Sequence, residues 1–477
     1  MRAANITMSD TATTKAAADR PAISKTIADF AHGLTHDAIP APVRHRAKHL
    51  ILDAVGIALA AGREAYAARF LAGLQGLGEA GASSVIGMAA KLPLRDAAIM
   101  NGALVHGLDF DDTHMKAVVH ATAVSLPAAL AVAEKTGASG RELLAAYLTG
   151  METAIRLGMA ANFGFHHRGL HATGIVGHFS SAVIAGKLMG LDADAIARAQ
   201  GIAGSTAMAS QQFVEDGAWN KRLHPGWAAA AGITAAHLAA GGFVAPERVY
   251  EGRFGLYVNL CGGLDGVELE AVTDGLGERW EAVESAVKPF PTCHFTHAAA
   301  DAALALRGAH GIEAEAIQRI RALVPEETIP VIAEPRANKI KPASDYDAKF
   351  STPFVVAAAL IRGRFGLAEL AAEALSDPDI LALAAKVHCE ADPEADFPRV
   401  YPGSLVITMA DGTEYVHHER INRGAADRAL TDADIIDKFA ANAALAVSER
   451  RAGAIRDAVL NLDHMTAPEL TAELAGG

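Results

Sequence analysis

From Ile23 to about Gly275 the apolar residues recur at helical spacing, in segments interrupted by Gly or Pro, and period-two alternation is scarce. A chain patterned this way over more than half its length must bury helix against helix. Alanine recurs in runs such as Trp227–Ala231 and Ala298–Ala303 while aromatics are only 5%, which favours close-packed helices over a β-sandwich. Ser139-Gly-Arg-Glu142 places a hydroxyl and a carboxylate three apart just before Leu143–Tyr147, the pattern that caps a helix N-terminus. Pro40, Pro42, Pro127, Pro225 and Pro246 are expected near helix ends, where a missing amide hydrogen costs least. The most hydrophobic long window, Trp227–Val244, is mainly Ala and Gly with His237 inside it. That is poor lipid-facing material, so a buried helix is expected and no membrane span.

The pattern changes after Lys288. Ile317–Pro325 is β-compatible, Lys386–Glu390 alternates, and two alternating runs, Ser404–Met409 and Thr413–His417, flank Ala410-Asp411-Gly412, a hairpin signal. Helical spacing persists around Thr296–Arg307, Pro353–Gly363 and Pro378–Ala385, so a smaller α+β unit is expected. Thr431-Asp-Ala-Asp434 opens another capped helix, and the last roughly fifty residues are expected to return to the helical part. A mainly α chain results: a tail over 1–22, a helical domain from 23–285 and 421–477, and an α+β unit over 286–420.

Acidic residues number 55 against 42 Lys and Arg, so the chain repels polyanions on average and nucleic acid is not an expected partner. Cys261, Cys293 and Cys389 lack a C-x-x-C pair and are too few for a disulfide framework, which fits a reducing, cytoplasmic setting. Met1–Ile23 has no continuous apolar stretch of a secretory signal.

Four constellations could carry chemistry. His106-Gly-Leu-Asp109-Phe-Asp111-Asp112-Thr113, with His114, Lys116 and His120 behind it, holds three carboxylates in four positions. These are costly to bury unless hydrogen-bonded, protonated or neutralised by cations. In a helix Asp109 and Thr113 would share a face and Asp111 would not; the bland alternative is a solvated acidic turn. His166-His167-Arg168-Gly169-Leu170-His171-Ala172-Thr173-Gly174 offers three imidazoles and a guanidinium for a carboxylate, with glycines that let the backbone approach a ligand at a helix start. Lys221-Arg222-Leu223-His224 precedes the Ala-rich helix: Lys221 either exchanges a proton or stays charged and holds a carboxylate, unless the segment is an exposed basic turn. Lys288-Pro-Phe-Pro-Thr-Cys293-His294 lies at the boundary between the units, a favoured place for ligands; Cys293 reads better as a small buried thiol than as a nucleophile. The glycine-dense loop of Gly262, Gly263 and Gly266 matches neither the G-x-G-x-x-G nor the Walker spacing, and there is no H-E-x-x-H or G-x-S-x-G.

Taken together, Asn101-Gly-Ala-Leu-Val-His106-Gly-Leu-Asp109-Phe-Asp-Asp-Thr113, Lys221-Arg-Leu-His224-Pro-Gly, Lys288-Pro-Phe-Pro and Ala348-Lys349-Phe350-Ser351 resemble, in order, the motifs of the MmgE/PrpD family, which includes 2-methylcitrate dehydratases, cis-aconitate decarboxylases and iminodisuccinate epimerases. The resemblance implies a large helical domain completed by the C-terminal segment, a smaller α+β lid, a homodimer, and no metal, iron-sulfur cluster or nucleotide cofactor. It implies Asp109, Thr113, His120, His171 and Lys221 as active-site residues, Lys288 at the lid hinge, and a small polycarboxylate as substrate. His106, His224, Lys288, Cys293 and His294 are expected to bind that substrate. Cys293 stands where the decarboxylase pattern resembles a histidine, so a 2-methylcitrate dehydratase-like activity is the first expectation, with an iminodisuccinate epimerase-like or cis-aconitate decarboxylase-like enzyme as alternatives. Removing a proton beside a carboxylate leaves negative charge for Lys and His to stabilise. Two other classes remain: a Mg²⁺-dependent diphosphate enzyme using the Asp-rich run, which would need a second acidic set facing it, and a non-catalytic metabolite-binding helical protein.

Overall fold

The computed structural model describes residues 20–78 and 80–476. The tail expected over 1–22 lies outside them as far as residue 19. Arg20 pairs with Glu270 at 3.0 Å and its carbonyl accepts from Arg248.

Numbering helices of about two turns or more, the chain begins with α1 (Ile23–Gly33), α2 (Ala41–Ala61), α3 (Ala65–Gln75), α4 (Leu94–Val105), α5 (Ala121–Thr136), α6 (Gly140–Ala161), α7 (Ala172–Leu188), α8 (Ala193–Ala203) and α9 (Asn220–Ala240). α7 lies at the centre, packed by α5, α6 and α9, and its buried face runs nearly all round the helix. The Ser139 hydroxyl accepts from the Glu142 amide, and the Glu142 carboxylate accepts from the Ser139 amide, so α6 opens with the anticipated reciprocal cap. A short antiparallel pair, β1 (Ser83–Val85) and β2 (Met88–Leu92), is an addition that the helical spacing does not announce.

Two prolines depart from expectation. Pro127 lies inside α5 and Pro225 inside α9. Both helices are buried over most of their length, and packing of that extent outweighs one forfeited backbone hydrogen bond. α9 also differs from a wholly buried helix: its alanines face the core while Trp227 and Leu238 are 56% and 43% exposed. No helix among the described residues is long and apolar enough to cross a membrane.

Glycine sets the spacing that matters most for the site. A β-carbon on Gly102 of α4 would meet the Gly226 α-carbon at 2.4 Å, and one on Gly226 would meet the Ile99 carbonyl oxygen at 2.2 Å. Backbone therefore touches backbone where α4 crosses α9. The crossing sets the end of α4, which leads to Asp109, against the start of α9, which carries Lys221.

Residues 290–407 supply a second hydrophobic core. It combines α10 (His297–His310), α11 (Thr352–Arg362) and α12 (Pro378–Ala384) with β3 (Ile317–Val324), β4 (Val387–Ala391), β5 (Gly403–Met409) and β6 (Glu414–Glu419). The strands are ordered β4-β3-β5-β6, with β3–β4 parallel and the other pairs antiparallel. Gly412 turns the β5–β6 hairpin at φ +87°, a conformation that suits glycine. The mainly α fold with a smaller α+β region follows as anticipated. The chain then returns through α13 (Asp432–Ala443), α14 (Glu449–Leu460) and α15 (Ala467–Leu474). Thr431 and Asp434 cap α13, which lies against α2, and Lys438 pairs with buried Asp53 at 2.8 Å. A third cluster, including Met115, Phe213, Phe295, Phe350 and Tyr401, joins the two cores.

Gly226→Ala is expected to lower unfolding stability by about 1–3 kcal/mol, and to lower turnover with it because α9 carries Lys221. An unchanged denaturation midpoint would contradict the contact described.

Candidate active site

Three segments far apart in sequence meet on Asp109. Its carboxylate is fully buried, just beyond α4, on a backbone held at φ +51°. Lys221 Nζ, from the first turn of α9, donates to Oδ1 at 2.9 Å. Lys288 Nζ donates to the same oxygen at 2.8 Å and to the Asp109 carbonyl at 2.9 Å. Burial pushes the carboxyl pKa up, but the two ammonium groups outweigh it and hold the group well below the usual carboxylate range. Oδ2 is buried without a hydrogen-bond partner among the described residues. Lys221 thus stays beside a carboxylate, and its segment is no exposed turn: Arg222 is buried too, its guanidinium 4.3 and 3.9 Å from the ring centres of Tyr66 and Tyr346.

The acidic run is not helical. Residues 106–112 form turns, and Asp109, Asp111 and Asp112 are all buried, which rules out both the shared helical face and the solvated turn. Each carboxylate meets the cost of burial differently. Asp109 has its two lysines. Asp111 Oδ2 accepts from His106 Nδ1 at 2.8 Å, and His106 outweighs burial to hold Asp111 below the usual range. At Asp112 burial and then the neighbouring Asp111 win over the hydrogen bonds from Thr122 and push the carboxyl up to about 7. Near neutrality that group carries a proton much of the time.

His120 stands immediately before α5. Its Nδ1 donates to the Asp112 carbonyl at 3.0 Å, with Thr113 Oγ1 at 3.3 Å and Asp111 Oδ2 at 3.5 Å. That bond fixes the tautomer in which Nε2, 4.0 Å from Asp109 Oδ1, carries the lone pair. Burial drives the His120 pKa well below the ordinary histidine value, so the ring is neutral. His171 is the residue just before α7, with Nδ1 at 3.0 Å from His224 Nδ1 and Nε2 buried without a partner among the described residues. Burial again keeps its ring neutral.

Asp109, Thr113, His120, His171 and Lys221 line one cavity, together with Cys293 and His294. The other three residues expected to bind substrate do not line it. His106 is spent on Asp111, Lys288 on Asp109, and His224 stands behind His171. Cys293 is buried, and burial pushes its thiol up, away from the thiolate a nucleophile requires. His294 Nε2 abuts the Asn422 amide nitrogen, from the segment returning out of the second unit. From the histidine-rich run, His166 reaches the cavity wall, whereas His167 and Arg168 are exposed.

Motif reading missed the apolar and aromatic part of the lining. Gln211, Phe213, Phe295, Val331 and Tyr401 also line the cavity. Phe350, quoted only as part of a motif, packs under the Lys221 ammonium at 4.9 Å. Tyr401 donates to the Met115 carbonyl at 2.8 Å across a separation of 286 residues; no local pattern marks such a residue.

Comparison with known proteins gives two domain matches: the MmgE/PrpD N-terminal domain over residues 25–266 and the MmgE/PrpD C-terminal domain over residues 290–464. Relatives include the cis-aconitate decarboxylase of Aspergillus terreus, 27% identical with 95% of this chain and 96% of that protein aligned. The cis-aconitate decarboxylases of Mus musculus and Homo sapiens are 29% and 28% identical; the alignments cover 88% and 93% of this chain and 86% and 92% of theirs.

Asp112→Asn tests the buried acid. With its pKa raised to about 7 from an ordinary 3.8, Asp112 binds more protons folded than unfolded between those values. Its contribution to stability is full below about pH 4 and is lost as pH rises through about 7. The denaturation midpoint of Asp112→Asn, measured at pH 5 and pH 8, should therefore shift relative to the parent in the variant's favour at the higher pH. An equal offset at both values would refute the assignment.

Proposed function

The chain belongs to the MmgE/PrpD family, and from that membership and the chemistry of the cavity we propose a cofactor-independent lyase acting on a small di- or tricarboxylic acid, with decarboxylation of a cis-aconitate-like substrate as the leading reaction. The observation that carries the reading is the pairing of ionised Asp109, clamped by Lys221 and Lys288, with the neutral imidazoles of His120 and His171 in one cavity. The names of the relatives favour decarboxylation over the dehydration that the motifs alone put first.

Decarboxylation of an unsaturated tricarboxylate breaks a carbon–carbon bond. CO₂ leaves, the electron pair forms a new double bond, and the old double bond takes up a proton at a carbon beside another carboxylate. The chain must therefore hold carboxylates and deliver one proton. Lys221 and His171 hold the substrate: the ammonium at the mouth of α9 supplies charge, and His171 Nε2 is a buried cavity nitrogen with no hydrogen-bond partner among the described residues. His120 moves the proton. Its Nδ1 is engaged by the Asp112 carbonyl, and its Nε2 takes a proton on substrate binding and passes it on. Thr113 and Asp109 orient that ring. We also propose, on the family resemblance, that residues 286–420 act as a lid and that the enzyme is a homodimer.

A second reading, 2-methylcitrate dehydratase-like chemistry, is favoured by one observation. Cys293, a neutral thiol, occupies a cavity position where the decarboxylase pattern resembles a histidine.

Incubating the purified protein with cis-aconitate, 2-methylcitrate and iminodisuccinate in D₂O, followed by NMR, separates these outcomes. The expected result is CO₂ loss from cis-aconitate with one deuterium in the product. Elimination of water from 2-methylcitrate alone would move the assignment to the second reading, and inertness toward all three would overturn the proposal. His120→Ala should lower turnover at least about a hundredfold, as loss of a general acid–base does, with a much smaller change in KM. Lys221→Ala should raise KM as well.

A further inference from the structure

A second cluster of metal-ligating side chains lies on the outer surface, independent of the cavity. His45 and His49 are four residues apart on α2 and so share one face. Asp432, the first residue of α13, reaches across to both: its Oδ2 lies 2.6 Å from His45 Nε2 and its Oδ1 3.6 Å from His49 Nε2. The three ligand atoms fall within 4.8 Å of one another. We propose that His45, His49 and Asp432 form a binding site for a divalent transition metal of the zinc class, which clamps the returning C-terminal helices to α2.

Three features carry the assignment. First, two imidazoles and a carboxylate are the ligand set that borderline-soft divalent ions select, and a histidine pair four apart on a helix presents two nitrogens to one ion. Second, His49 is already oriented as a ligand. Its Nδ1 donates to the His45 carbonyl at 2.9 Å, which leaves the Nε2 lone pair facing Asp432. Such an outer bond fixes the tautomer of metal-binding histidines. Third, the site has both a floor and an opening: the His49 side chain is only 5% exposed, while those of His45 and Asp432 are 60% and 56% exposed. Water can complete the coordination there. Metal–ligand bonds of about 2.0–2.2 Å place ligand atoms about 3–3.5 Å apart; a small opening of the His45–Asp432 contact reaches that spacing. Arg46, on the same helix, donates to the Ser285 carbonyl at 2.8 Å, and its charge also acts on Asp432.

Position gives the site a consequence. Asp432 follows the return segment that carries Asn422 past His294, and six residues later Lys438 reaches Asp53 and the Phe110 carbonyl. An ion at Asp432 holds that return in place. Two other candidate sets, His106–His120–His171 and Asp109–Asp111–His120, lie at and behind the cavity wall, but both include His120, which lies under the positive field of Lys288 and Lys221, and that field opposes a further positive ion there.

The test uses untagged, EDTA-treated full-length protein titrated with Zn²⁺ by calorimetry, and with Co²⁺ followed by its ligand-field absorption. One ion per chain is expected, with a thermal midpoint that rises with Zn²⁺ concentration. His45→Ala and Asp432→Asn should each weaken binding at least about tenfold, abolish the rise in midpoint and leave turnover unchanged. Binding that survives both substitutions, or that is lost in His120→Ala instead, would overturn the proposal.

Discussion

Asp109 shared between Lys221 and Lys288 is the interaction on which the architecture turns. One carboxylate oxygen collects a donor from the start of α9, 112 residues away, and another from the junction between the two cores, 179 residues away. Removing either lysine would leave a buried charge half-compensated, a change that is costly for an ion pair out of water. The same contact that fastens the helical part to the second unit also sets the electrostatics of the cavity. Catalytic geometry and fold therefore draw on one set of bonds.

The rest of the site follows from how burial is offset around that clamp. Two lysines fix the charge on Asp109, His106 pairs with one oxygen of Asp111, and Asp112 gives up its charge for part of the neutral range. The cavity histidines are neutral because desolvation disfavours their charged form and the lysines add to the effect. A substrate carboxylate entering this space brings the negative charge that makes an imidazolium affordable, so binding and proton uptake are coupled.

Much of this was legible in the sequence, and the limits have physical causes. Ser139–Glu142, Thr431–Asp434 and the Asp411-Gly412 turn are local chemistry, so their residues announce a helix start or a hairpin without tertiary knowledge. Asp109, Thr113, His120, His171 and Lys221 were recognisable as members of ordered motifs. Which amine meets which acid was not, because pairing over such separations belongs to the packed state. The shared face that a helix over residues 109–113 would give does not form, for the same reason: the ion pairs on Asp109 come with a left-handed backbone at that residue, which interrupts a helix. Pro127 and Pro225 misled because their local cost is outweighed by helices buried on most sides. The aromatic wall carried no signal, since Phe and Tyr at such positions look the same as ordinary core.

The backbone contact between Gly102 and Gly226 also limits how this protein could be made sturdier. Replacing helix glycines with alanine is a standard route to thermostability, because it lowers the entropy of the unfolded chain. Here that route is closed at the crossing that brings the acid and the amine together. Engineering for heat resistance has to begin at helix glycines such as exposed Gly73 and half-buried Gly453, where an added methyl would meet open space.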